Sequence, residues 1–211
     1  MSLPNSMRRN ALVLAIFASV TTALIAGVYQ LTADNIAHSQ QQHLLTLLNQ
    51  LVPSQQYNNA LLSDTVLIDN TDYLHLDKPE LAYRARLNQN AVAVIFPVIT
   101  PNGYSGKIKL LVAINPQGEL LGVRVVSHKE TAGLGDAIEK HKSDWIDSFN
   151  HRSLINTPER AWQVKRDGGE FDQLTGATIT PRAVVKAVHN SLLYYQQHKH
   201  FLFSSLEKKQ P

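Results

Sequence analysis

The 211-residue chain contains no cysteine. Disulfides, cysteine zinc sites, iron–sulfur ligation and thiol catalysis are therefore excluded, and any redox role needs a borrowed cofactor. An excess of one charge is also missing. Lys and Arg number 20 against 17 Asp and Glu, for a net charge of +3, and the basic residues are scattered apart from Arg8-Arg9 and Lys208-Lys209. A nucleic-acid binder concentrates its basic residues on one face, so no nucleic-acid partner is expected. The chain has no Walker A loop, no G-x-G-x-x-G and no G-x-S-x-G. Histidine is plentiful, at nine residues. Even so, His198 and His200 are two apart and do not share a helix face. His128 and His141 read as polar surface residues, and no metal site is expected.

Charge is absent altogether from Ala11 to Leu31, ALVLAIFASVTTALIAGVYQL. About 20 apolar residues cross the hydrocarbon core as a helix, and Tyr29 suits an interface. Arg8 and Arg9 precede the run, and the next Lys or Arg after it is Lys78. The positive-inside rule then places the N-terminus in the cytoplasm and the bulk of the chain outside. A cleaved signal peptide, twin-arginine in type, is the competing reading. Its apolar core is shorter, roughly 7–15 residues, and ends at a small-residue cleavage site such as A-x-A, which does not follow here.

The remainder is long enough for one substantial domain. Ile36 to Leu51 reads as a helix with Leu44, Leu47, Leu48 and Leu51 on one face, either continuing from the span or lying on the membrane, and Pro53 helps stop it. Ala82–Leu87 and Ala91–Ile99 read as strands, with Pro97 marking an edge or a bend. Ile108, Leu110, Val112 and Ile114 alternate as in a half-buried strand, and Leu121, Val123 and Val125 alternate on the return. Between these strands, Asn115-Pro116-Gln117-Gly118 has the chemistry of a type I turn, so a hairpin is expected.

Gly135 to Phe149 reads as a helix, with Asp136, Glu139 and Asp144 on its wet face. Arg160 to Lys165 reads as a short strand. Pro181 to about Gln197 reads as a helix capped by Thr180, with Val184, Val188, Leu192 and Tyr195 inward. Trp145 and Trp162 read as core residues. The expected fold class is α+β: one N-terminal transmembrane helix, then a mixed α/β domain containing an antiparallel hairpin.

Two segments carry chemistry. The first, Asp172-Gln173-Leu174-Thr175-Gly176-Ala177-Thr178-Ile179-Thr180-Pro181, is a hydroxyl-rich loop feeding a helix start. The first turn of a helix leaves N–H groups unpaired at a positive dipole end, where a phosphate is well placed. Gly176 permits close approach, and Thr178 presents a hydroxyl beside that site. Simple capping is the commoner use of such a cluster. The second, Ser127-His128-Lys129-Glu130-Thr131-Ala132-Gly133-Leu134-Gly135, is a strand end breaking into a glycine turn.

The run D-x-x-T-G-A-T resembles the flavin-attachment motif of the FMN-binding domain family. The block Glu130-Thr131-Ala132-Gly133-Leu134-Gly135 resembles that family's E-T-x-G-L-G, with Ala132 where Pro is more usual. Together with the single span, the whole chain is similar to the G subunits of Rnf-type (also called Rsx) electron transport complexes. The C subunits of sodium-pumping NADH:quinone reductases share both motifs on a longer domain and remain an alternative.

The resemblance implies FMN held by a phosphoester on Thr178, moved from FAD by a flavin transferase. It implies that Thr175, Gly176, Ala177, Glu130, Thr131, Leu134 and Gly135 bind the cofactor. It further implies an electron-transfer subunit rather than a stand-alone enzyme, working beside other membrane subunits in a bacterial inner membrane. The expected organisation is a cytoplasmic N-terminus over 1–10, a span over 11–31, a helix and linker over 32–60, an extracytoplasmic FMN-binding domain over 61–197 and a polar tail over 198–211. A cofactor-free, membrane-tethered scaffold domain is the other class of function open to this sequence.

Overall fold

The computed structural model describes residues 5–69 and 72–204. The end of the chain that holds Lys208-Lys209 lies outside the described residues. The chain divides into two units, Met1–Thr46 and Leu47–Pro211.

Helix α1, Asn5–Leu51, supplies the described residues of the first unit. Thr21 and Thr32 donate their hydroxyls to the carbonyls of Phe17 and Val28, each at 2.8 Å, so these polar groups are satisfied within the helix. An 18-residue stretch of α1 has a mean hydropathy of 2.3, and none of it is buried. Phe17, at 74% exposed, is typical. A helix this apolar and this bare needs a hydrocarbon solvent. The helix expected from Ile36 is continuous with the span, since no Pro or Gly interrupts residues 28–51.

The second unit is built on a five-stranded antiparallel sheet in the simple order β1-β2-β3-β4-β5. The strands are β1 Thr65–Ile68, β2 Glu80–Leu87, β3 Asn90–Gly103, β4 Gly106–Ile114 and β5 Leu120–Ser127. Helix α2, Ile179–Phe203, packs on one face. Val94, Phe96, Val98, Leu110 and Val112 alternate onto that face and share a core with Val184, Val188 and Leu192. The predicted β4–β5 hairpin is present. Gly118 N–H donates to Asn115 O at 3.0 Å, and the Asn115 side-chain oxygen accepts from the N–H groups of Gln117 and Glu119.

Pro97 lies well inside β3, two residues past Ile95, the last residue paired with β2. Successive N–H groups alternate in direction, so the absent N–H of Pro97 points the same way as that of Ile99. The latter donates to Leu74 O, not to a strand. The proline therefore occupies a local edge, where no ladder bond is lost.

Several expectations need correction. β4 is not half-buried. Leu111 and Ala113, on the face away from α2, are buried too. The last turn of α1 supplies cover there: a Cβ built on Gly122 of β5 would lie 3.0 Å from Leu51 Cδ2.

The helix expected over Gly135–Phe149 is two 3-10 turns, Gly135–Ile138 and Trp145–Phe149. Ser143 separates them, its hydroxyl donating to Ala137 O and accepting from Trp145 N–H. The strand expected over Arg160–Lys165 is a 3-10 turn at Glu159–Ala161 followed by a single bridge from Val164 to Phe171. These loops are held by aromatic packing instead of ladders. Trp145 meets Phe149, Phe149 meets Phe171 and Phe171 meets Trp162, with ring centroids 4.7–5.6 Å apart. Finally, α2 begins two residues before Pro181 and continues to Phe203, with Leu202 buried, so residues 198–203 are helix and not tail.

Candidate functional site

Both chemistry-bearing segments meet at the start of α2. The first leaves β5 at Ser127. His128 accepts the N–H of Glu130 at Nδ1 (3.0 Å), so its proton sits on Nε2, which donates to Glu139 at 2.9 Å. His128 is thus a half-buried brace and not a plain surface residue. The chain then turns on Thr131, whose carbonyl accepts from Leu134 N–H and Gly135 N–H. Asp136 closes the loop by accepting from Gly133 N–H at 2.8 Å. It is buried and lies 3.4 Å from Lys142 Nζ, so it does not belong to a wet helix face as expected.

The second segment is a tight turn, Leu174 to Ala177, closed by Ala177 N–H donating to Leu174 O at 3.0 Å. Gly176 sits third in this turn with φ +76°, the type II position that disfavours a side chain. A Cβ there would also lie 2.6 Å from Leu134 Cδ2, so the two segments touch at this point. Trp145 Nε1 donates to Asp172 O at 2.7 Å and ties the loop's start to the aromatic cluster. The Asp172 carboxylate points outward to Lys165, at 2.5 Å.

The chain then enters α2 without a side-chain cap. Thr178 stands at the N-cap position with φ −97° and ψ −26°, and its hydroxyl makes no capping bond. Thr180, expected as the cap, lies inside the first turn. It is fully buried and donates its hydroxyl to Glu130 Oε2. The helix start therefore offers the N–H groups of Ile179 and Thr180, since Pro181 has none.

These elements enclose a cavity of about 340 Å³ lined by Glu130, Thr131, Leu134, Gly135, Gly176, Ala177, Thr178, Ile179, Thr180 and Tyr104. Seven of the eight residues expected at the site line it. Thr175 does not, because the second position of the turn points its side chain to solvent. Sequence reasoning missed Tyr104, Ile179 and the inward role of Thr180. Tyr104 is 68% exposed in the β3–β4 turn. An aromatic in a P-N-G-Y-S-G turn was the available signal.

Uncapped helix N–H groups, a threonine hydroxyl that makes no capping bond and apolar walls from Leu134, Ile179 and Tyr104 suit a ligand with a phosphate and a flat apolar body. The fold and site thus define a cofactor-carrying domain behind a membrane anchor. Residues 103–193 match the FMN-binding domain family, and residues 1–51 match the RnfG N-terminal region.

The chain is 46% identical over 200 residues to the G subunit of the ion-translocating oxidoreductase complex of Shewanella oneidensis, covering 95% of this chain and 94% of that protein. It is 48% identical over 202 residues to the Pseudomonas aeruginosa protein of the same name, covering 96% and 94%. The Aliivibrio fischeri protein of that name is 45% identical over 194 residues, covering 92% of each. This chain belongs to the family of G subunits of ion-translocating oxidoreductase complexes.

Proposed function

We propose that this membrane-anchored protein carries FMN as the electron-transfer subunit of an Rnf-type ion-translocating oxidoreductase, with the flavin esterified through its phosphate to Thr178. The observation that carries the attachment is the state of three neighbouring threonines. Thr175 faces solvent, Thr180 is buried and engaged with Glu130, and Thr178 alone of the three lines the cavity with its hydroxyl uncommitted at the N-cap.

A flavin transferase is the maturation partner this reading requires. Thr178 Oγ1 would displace AMP from FAD, forming one phosphoester as the FAD pyrophosphate linkage breaks and the hydroxyl proton leaves. The N–H groups of Ile179 and Thr180, at the positive end of α2, would hold the phosphate. Gly176 and Ala177 would let it approach, and Leu134, Gly135 and Thr131 would line the ring's place. Bound there, FMN supplies reversible electron transfer, and the protein supplies position and electrostatics.

The other subunits of such a complex are its partners. Arg8-Arg9 ahead of the apolar stretch, with no further Lys or Arg before Lys78, favours a cytoplasmic N-terminus and a periplasmic domain in the inner membrane. A covalent tether suits that side, where a free cofactor would diffuse away.

Intact mass and in-gel flavin fluorescence of denatured protein, co-expressed with a flavin transferase, test the attachment. One FMN per wild-type chain and none in Thr178→Ala are expected. Flavin that survives denaturation in Thr178→Ala would sink the assignment. Protease added to intact spheroplasts should cleave the domain beyond residue 46, whereas protection until lysis would reverse the orientation.

A further inference from the structure

We propose that Glu130 is a positioning residue: its carboxylate ties the Tyr104 turn to the first turn of α2 and so sets the attitude of Thr178 at the cavity that all three segments line. This rests on the reading of the cavity as the flavin site and adds a second role to the one expected for Glu130, that of a cofactor-binding residue.

Both carboxylate oxygens are already occupied. Oε1 accepts from Ser105 N–H at 2.9 Å, and Oε2 accepts from Tyr104 N–H at 3.2 Å and from the Thr180 hydroxyl. The residue is buried, and its own N–H is fixed on His128. Two glycines make room for it. A Cβ on Gly135 would lie 2.9 Å from Glu130 Cβ, and one on Gly103 would lie 2.9 Å from Oε1. Among the described residues, no Lys, Arg or His lies within ion-pairing distance of this carboxylate. Its partners are neutral donors only.

Those donors explain the choice of side chain. Three donors and no acceptor converge on it. A carboxylate offers two acceptor atoms and no hydrogen, whereas an amide must turn one NH2 toward an N–H or O–H. Glutamine is therefore not a conservative replacement here. The consequence reaches the attachment site directly. Thr180 lies two residues after Thr178 on the same helical turn, so its bond to Glu130 stops that turn from rotating. The same carboxylate fixes the backbone at Tyr104, whose side chain lines the cavity. One buried group thus joins three sequence-distant segments around the cavity: residues 104–105, 130 and 180.

The test uses full-length protein in detergent micelles, with and without flavin-transferase co-expression. In protein without flavin, Glu130→Gln should speed amide hydrogen exchange at Tyr104 and Ser105 by about tenfold or more, the size expected for losing a hydrogen bond to a charged group. Unchanged protection at both amides overturns the tie. Thr180→Val keeps the buried shape and removes only the hydroxyl, so it remains informative if Glu130→Gln fails to fold. It should slow flavin loading of Thr178 by roughly tenfold, and Thr180→Ser should restore it. Wild-type loading in Thr180→Val overturns the link to Thr178. Should wild-type protein take no flavin at all, the functional reading fails, and the exchange measurement still decides the tie.

Discussion

The two ends of α2 are finished in opposite ways. At the C-terminal end the protein supplies its own partners. Arg84, only 1% exposed on β2, donates to Ser204 O, and Arg86 donates to Phe203 O. Both guanidinium groups are held on Asp64, at 2.6 and 2.8 Å. Two cations at the negative end of the helix dipole satisfy carbonyls that the helix leaves open. At the N-terminal end there is no side-chain cap and no acidic residue in the first turn, and a cavity stands in front of it. One end is closed for stability and the other left open for a ligand. A single helix shows both solutions because the sheet brings arginines to one end and glycine turns to the other.

The comparison breaks first, and most completely, at Thr178. Thr178→Ala should remove all covalent flavin while leaving Tm unchanged within about a degree, since the hydroxyl makes no capping bond. Arg84→Met should do the reverse. Removing one partner of a buried ion pair should cost about 3 kcal/mol, read by urea denaturation, while flavin mass at low temperature stays intact. Gly176→Ala joins the two effects. The positive φ and the contact with Leu134 should cost about 1–2 kcal/mol and push Leu134 into the cavity, lowering flavin loading.

Tyr195→Phe is milder. Its hydroxyl, buried and pushed up to a pKa of about 12, donates to Asn115 O at 3.0 Å and steadies the β4–β5 turn. A loss of about 1 kcal/mol in unfolding free energy with normal flavin content is expected.

The smallest effect is a pH slope. His189, in the middle of α2, stacks on Trp162 with ring centroids 5.2 Å apart. Burial pushes its pKa below the ordinary value, and the Glu159 carboxylate opposes this only partly. As pH falls, the unfolded chain takes up this proton first. The stability from neutral His189 is therefore full above the ordinary histidine value, about 6.5, and is lost as pH falls through it toward the lower folded value. Tm should drop between pH 7.5 and 5.5, and His189→Phe should flatten that drop.

Motif residues were legible because each belongs to a local pattern. The hairpin turn at Asn115-Pro116-Gln117-Gly118 and the inward stripe Val184, Val188, Leu192, Tyr195 needed only nearest-neighbour rules, and all of these elements are present. The loops between β5 and α2 were misread. Their apolar residues follow helix-like and strand-like spacing but answer to an aromatic cluster assembled from Trp145, Phe149, Trp162 and Phe171. No local rule sees such a cluster.

The open end of α2 divides along the same line. Hydrophobic length marks the anchor, and a glycine-bearing, hydroxyl-rich run before Pro181 marks the helix start, because both are properties of consecutive residues. Which threonine stays free is not such a property. Thr178 and Thr180 are chemically alike and two residues apart. They differ because Glu130, fifty residues upstream, is delivered by β5 to one and not the other. Tyr104 enters the cavity wall for the same reason: the β3–β4 turn is tied to that carboxylate. Sequence spacing carries chain-local geometry, and long-range hydrogen bonds in a buried, low-dielectric site choose among equivalent groups.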